Sequence, residues 1–272
     1  MNRKTEGWPG GNGEGAGRVL VVGASGELGG SLAQVYAARG CRLVLWGRDQ
    51  VRLDRTAQAC RELGAADIAV ESLDLTDLEA AKAALARADD AAPFDLALFA
   101  SGLGDVRESA NRIESADLVE RLGQVNFLAP STLAALLAGR MTARRRGSIV
   151  LVGSAAGFHS LPFAAAYTAS KSGLARFADA LRIAAAPYGV TVTHISPGFI
   201  NTKAARQVPG PKPFMMPVDQ ASRRIAMAAD RGKAHVIMPW PFAALRLVTG
   251  LLPRGLSDRL LRSLAPPLPP TG

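Results

Sequence analysis

Short apolar runs alternate along this chain with longer stretches whose apolar residues return every three or four positions. Val19–Val22, Leu43–Leu45, Leu96–Phe99 and Ile149–Val152 are apolar at every place, not at every second place. Such strands are covered on both faces, and the helical stretches between them supply the cover. The pattern predicts strands near Val19–Val22, Arg42–Leu45, Ile68–Ser72, Leu96–Phe99, Ser148–Val152, Thr191–Ile195 and Ala234–Ile237. Strand and helix in alternation mean an α/β fold, a single doubly wound parallel sheet of about seven strands with helices on both faces. A chain of 272 residues, 48% hydrophobic, can bury one large core. No repeat of roughly 20–50 residues is present, which excludes a solenoid.

The first predicted strand runs directly into Gly23-Ala24-Ser25-Gly26-Glu27-Leu28-Gly29, and a helix from about Leu28 to Arg39 follows, stopped by Gly40. Glycines between a strand and a helix allow a tight turn and let backbone N–H groups approach a pyrophosphate at the positive helix N-terminus. The alternative is a plain strand–helix turn. Further on, Tyr167 and Lys171 stand four residues apart in a helical stretch, so they share a face. An ammonium one turn from a phenol favours the phenolate and draws its pKa down from roughly 10. Such a tyrosine can give a proton to a carbonyl oxygen or take one from an alcohol. Ser154 follows the fifth apolar run.

Together the glycine turn, Ser154, Tyr167 and Lys171 resemble the short-chain dehydrogenase/reductase family, over roughly Arg18 to Ile237. The resemblance implies a Rossmann-type domain over 18–238 and a catalytic tetrad of Asn126, Ser154, Tyr167 and Lys171. It implies a dinucleotide held by Gly23, Ser25, Gly26, Leu28 and Gly29. Asp74 and Leu75 would meet the adenine, and Pro197, Gly198, Ile200 and Thr202 would meet the nicotinamide. Lys171 and Tyr167 would also bind the nicotinamide ribose, and Asn126 would hold a water linking Lys171 to solvent. A homodimer or homotetramer is implied as well. Two departures stand out. Glu27 occupies the place of the family's second glycine, unfavourable beside phosphates unless it turns to solvent or to an arginine. Phe99-Ala100-Ser101-Gly102 replaces Asn-Asn-Ala-Gly, so Ser101, Gly102 and backbone groups must brace the adenosine side.

The second strand ends in Trp46-Gly47-Arg48-Asp49. An acidic residue in place of Gly47 would accept the ribose hydroxyls, whereas the Arg48 guanidinium matches a 2′-phosphate. NADP(H) is therefore the expected coenzyme, with NAD(H) the second candidate, and Asp49 is expected to cap the next helix. In reduction the nicotinamide supplies hydride, Tyr167 the proton, and Ser154 a hydrogen bond to the carbonyl oxygen.

The two cysteines and three histidines have no metal-ligand spacing, so no metal is expected and the protein reads as reduced and cytoplasmic. His194 reads as a packed core residue, while His159 is a candidate to face substrate. The net charge of +9 comes without a nucleic-acid reader motif, and Arg144-Arg145-Arg146 reads as a solvated loop. Residues 1–17 read as a flexible tail, neither signal peptide nor membrane span. Residues 239–272 form an amphipathic extension, with apolar residues from Trp240 through Leu252 and a second short helix from Leu256 to Leu264. That run is too short to span a bilayer. It suits a lid over an apolar pocket, a subunit interface, or a peripheral contact of 240–264 with the inner membrane surface. Arg206 to Met216 is a second candidate lid. The tail resembles a bacterial subgroup of the family and, more loosely, reductases of polyprenyl-phosphate-linked sugars. Three functions are thus in play: reduction of a small or lipid-like carbonyl, an enzyme of envelope lipid or polysaccharide synthesis docked at the membrane, and a non-catalytic NADP-binding sensor or scaffold.

Overall fold

The computed structural model describes residues 17–104, 113–208, 210–251 and 253–263. The expected tail up to residue 16, and everything from Leu264 onward, lie outside the described residues. Seven strands form one sheet: β1 (Arg18–Val22), β2 (Arg42–Gly47), β3 (Asp67–Ser72), β4 (Leu96–Phe99), β5 (Gly147–Val152), β6 (Val190–Pro197) and β7 (His235–Met238). Each lies within two residues of its expected position. All neighbours pair in parallel, in the order β3-β2-β1-β4-β5-β6-β7. The order reverses beside β1, which pairs with β2 on one side and β4 on the other, Val21 standing between Leu45 and Leu98. A crevice opens at the carboxyl ends of the strands at such a switch point.

Alternate side chains of the strands feed two cores. On one face Val19, Val21, Leu43 and Leu45 meet α1 (Glu27–Ala37), α2 (Gln50–Glu62) and α8 (Val218–Asp230), which contribute Leu32, Leu53 and Ile225 among others. On the other, Leu20, Phe99 and Leu151 meet α3 (Leu78–Ala91), α5 (Ala129–Ala143) and α6 (Ala165–Ala185). Gly40 ends the first helical segment with φ +74° and an N–H to Ala37 O, as its position predicts.

Two local features go beyond the sequence pattern. Residues 116–143 are one continuous helical stretch, in which α4 (Ala116–Gly123) passes into α5 through a π-helical turn at Gln124–Leu128. Arg144, expected in solvent, instead reaches Asp89, with Nη1 2.8 Å from Oδ2 and Nη2 2.8 Å from Phe94 O. Burial alone would raise the Asp89 pKa. Hydrogen bonds from Arg144, the Phe94 amide and Arg140 outweigh it and hold the carboxyl below its usual range. That basic residue is structural: its partner carboxylate is almost fully buried.

The extension forms α9 (Pro241–Leu251) and α10 (Arg254–Ser263). Phe242 packs against Gly198, where a Cβ would meet the ring at 2.2 Å, and forms edge contacts with Phe199 and Phe214 at 6.5 and 6.2 Å. Trp240, Leu247 and Leu251 remain 76%, 68% and 79% exposed. Among the described apolar side chains of the extension, Phe242 sits on the loop after β6 and Leu261 of α10 is buried. The side chains of Val248 and Leu252 lie outside those described.

Candidate active site

The glycine turn, the end of β2, Asp74, Ser101, Ser154 and the loop after β6 all lie at or just beyond the carboxyl ends of strands, with Asn126, Tyr167 and Lys171 on the helical segments beside them. Gly23 through Gly26 make the β1–α1 turn, and Glu27, Leu28 and Gly29 open α1. Gly23 takes φ +93°, and a side chain on it would collide with the backbone of Ser101, 2.6 Å from its amide nitrogen. Only glycine satisfies both demands. Turn and β4 exit are therefore pressed together, and the Ser101 Oγ between them is buried without a hydrogen-bond partner among the described residues.

The end of β2 is equally tight. A Cβ on Gly47 would stand 2.4 Å from Ser25 Oγ, so no longer side chain fits there. Arg48 is exposed. Asp49 caps α2, its Oδ1 accepting from Arg52 N at 3.0 Å while Oδ2 lies 3.3 Å from Arg52 Nε. Asp74, after β3, accepts from the amide and hydroxyl of Thr76, both at 2.9 Å, and these bonds lower its pKa. Leu75 beside it is buried.

Asn126 occupies the middle of the π turn and is fully buried. Its Oδ1 accepts from Leu103 N at 2.8 Å and its Nδ2 donates to Leu103 O at 3.0 Å, so the amide clamps the strand β4 exit. A π turn offsets the helix by one residue, and here it presents the asparagine at that loop. A Cβ on Gly102 would lie 3.2 Å from Lys171 Nζ and 3.4 Å from Asn126 Oδ1. Gly102 therefore lets both side chains approach the chain after β4.

Ser154 lies two residues beyond β5 and caps a short 3₁₀ turn, its Oγ accepting from Ala156 N at 3.1 Å. The hydroxyl hydrogen is left to donate elsewhere. Tyr167 is half-buried on α6, with Lys171 one turn on. The Lys171 ammonium donates to Val152 O at 3.2 Å, which ties α6 to the strand that carries Ser154. Desolvation lowers its pKa to about 8. Pro197 ends β6; Gly198, Ile200 and Thr202 follow, and Thr202 caps α7 (Lys203–Gln207) through Oγ1 and Ala205 N.

Two histidine expectations resolve differently. His194 is a core residue, 1% exposed. His159 does not join the tetrad. It lines a separate cavity of about 740 Å³ with Arg176, Asp179, His235, Arg246 and Thr249, a space that none of the four tetrad residues borders. Sequence reasoning missed the contact of Phe242 with Gly198, for which the unexplained apolar extension was a signal. It allowed Glu27 an arginine partner, and Arg206 stands 3.9 Å away; the bond from Lys203 N was not foreseen.

These residues fit a nicotinamide dinucleotide. Among the described residues the Ser101 hydroxyl lacks a partner, and the Lys171 ammonium, with three hydrogens to give, donates to Val152 O. The family model for short chain dehydrogenases matches residues 17–212. An uncharacterized oxidoreductase of Myxococcus xanthus is 35% identical over 90% of this chain and 96% of its own. A short-chain dehydrogenase from Sphingobium yanoikuyae, solved in complex with NADPH, is 28% identical with a TM-score of 0.76, covering 92% of this chain and 96% of that one. The bulky-bulky ketone specific alcohol dehydrogenase from Comamonas testosteroni is 27% identical with a TM-score of 0.72, covering 88% and 95%. The chain therefore belongs to the short-chain dehydrogenases and is an NAD(P)-dependent oxidoreductase acting on CH–OH or C=O groups.

Proposed function

We propose that the protein is an NADP(H)-dependent carbonyl reductase, reversible as a secondary-alcohol dehydrogenase, with Tyr167 as its acid and base and an apolar carbonyl compound as substrate. The buried Lys171, one helical turn from Tyr167 and bonded to the Ser154 strand, carries this reading. Bound NADP(H) supplies or accepts the hydride. Lys171 holds a positive charge beside the Tyr167 phenol and eases its ionisation. Tyr167 moves the proton to or from the substrate oxygen, and the free hydroxyl hydrogen of Ser154 stabilises charge on that oxygen. Asn126 keeps the β4 exit against Lys171.

The coenzyme reading rests on the end of β2. Ser25 leaves no room for an acidic side chain at 47, and Asp49 is occupied as a cap, so the exposed Arg48 is the group left to meet a 2′-phosphate. The Sphingobium relative solved with NADPH supports the same choice. The substrate reading rests on the rings of Phe199, Phe214 and Phe242 around the loop after β6. Phe214 is 60% exposed and holds a left-handed φ of 56°. The Comamonas relative is named for bulky ketones. The test is turnover of a panel of apolar ketones with NADPH. Tyr167→Phe is expected to retain coenzyme binding and lose at least about 100-fold in rate, the scale of a missing general acid. Near-normal turnover by that variant would end the assignment.

A further inference from the structure

Glu27 stands in the first turn of α1, at the mouth of the glycine turn. Its carboxylate reaches across the crevice to a segment 176 residues away. Oε2 accepts from Lys203 N at 2.5 Å, and Oε1 lies 3.9 Å from Arg206 Nη2. The Arg206 guanidinium is held in turn by Asn201, whose Oδ1 and backbone O lie 2.9 and 3.4 Å from Nη1. Thr202 closes the same turn of α7 from the other side. The loop that follows β6 is therefore fastened to the turn that follows β1 by one acidic side chain.

That arrangement answers an electrostatic difficulty. A carboxylate in the first turn of α1 occupies the positive end of the helix, where an anionic pyrophosphate belongs. Left alone it would repel the coenzyme. Facing a guanidinium and a backbone amide, its charge is compensated locally and drawn toward α7. Both side chains are about half exposed, so the compensation is moderate and sensitive to salt.

We propose that Glu27 and Arg206 form a latch that makes the segment from Asn201 to Gln207 part of the coenzyme site, with Arg206 neutralising a carboxylate that would otherwise oppose the pyrophosphate. The proposal rests on the reading of residues 23–29 as the coenzyme turn. Arg206 is thus a positioning residue: it acts on coenzyme affinity through Glu27, and it fixes the substrate-side loop in doing so. The loop carrying Thr202 and the turn carrying Gly23 are set together rather than independently.

The test is a double-mutant cycle on the full chain, read by NADPH dissociation constants at low salt and by hydrogen exchange of the Lys203–Gln207 amides without coenzyme. Arg206→Ala is expected to weaken NADPH about 3- to 10-fold, an effect that shrinks as salt is added. Glu27→Gln should bind at least as well as the wild type, and the double variant should return to within about 2-fold of it. Glu27→Gln alone should speed exchange across 203–207. An equal loss from Arg206→Ala in both backgrounds would overturn the latch, because Arg206 would then touch the coenzyme itself. Unchanged exchange in Glu27→Gln would overturn it as well. If the wild type bound neither NADPH nor NADH, the coenzyme reading would fail, and the exchange measurement would still decide whether Glu27 holds α7.

Discussion

Lys171 is a buried charged group, 5% exposed and bonded to Val152 O at 3.2 Å. A pKa near 8 in the folded chain, against 10.5 for the free side chain, means the unfolded chain binds more protons between those values. Stability of the coenzyme-free protein therefore rises as pH climbs from about 8 to 10.5, the reverse of what an ion-paired lysine gives. Lys171→Met is expected to abolish turnover, to raise stability in denaturant by about 1–3 kcal/mol near pH 7, and to remove that rise. Urea titrations at pH 7 and pH 10 would check it; a destabilised variant would mean the ammonium is better solvated than its burial indicates. At this scale the placing of Tyr167 and Lys171 on one helix was legible because they are four apart, a spacing that survives any tertiary arrangement of a helix; Asn126 and Ser154 came only from the resemblance. Glu27 and Arg206 were not linked by any pattern, since nothing local relates residues so far apart in the chain.

Among the elements, β6 and β7 carry a histidine pair that responds to acid. His194 and His235 stack with ring centroids 4.7 Å apart, and Ser196 Oγ lies 2.9 Å from His235 Nε2 and 3.5 Å from His194 Nδ1. Burial first, then the neighbouring His235, Lys171 and Arg246, push the His194 pKa down to about 3. Burial and Arg246 lower that of His235, with Asp179 opposing. Both pKa values fall below the unfolded value, so stability is present above pH 6.5 and declines as pH falls through and below it. Thermal unfolding is expected to shift to lower temperature between about pH 7 and pH 5, and His194→Gln should flatten that slope. A slope unchanged by the substitution would place the acid sensitivity elsewhere. The strands themselves were readable from unbroken apolar runs. The π turn at Gln124–Leu128 was not, because one extra residue in a long apolar helix leaves the pattern of polar and apolar positions nearly unchanged.

For the whole molecule, the parallel sheet brings the ends of β1 through β6 to one edge, and the extension reaches that edge through Phe242. Removing residues from Pro241 onward would strip the ring that covers Gly198 and leave Phe199 and Phe214 without their partner. Among the described residues, the two cores receive none from α9 or α10. The truncated chain is therefore expected to fold and bind NADPH, while turnover of bulky substrates falls by at least about 10-fold through a loosened loop, since displacement of positioning groups by an ångström has effects of this order or larger. Full activity on bulky substrates after truncation would make the extension incidental to the site. The extension's role was only half legible: the apolar excess announced a need for cover, and the position of Gly198 in space, not in sequence, showed where Phe242 finds it.

The extra residue at Gln124–Leu128 has a consequence for what kinds of genetic change the chain can absorb. A regular helix turns about 100° per residue, so the π turn resets the phase between the part that presents Asn126 and the part that buries Leu133, Leu137 and Met141. Substitutions in this stretch leave the phase alone. Loss of a single codon does not: it restores an ordinary helix, and then either Asn126 turns from Leu103 or the leucines turn from the sheet. The reading frame of the gene would be intact while the frame of the helix was lost, and variation here should therefore run through base substitutions and seldom through in-frame deletions.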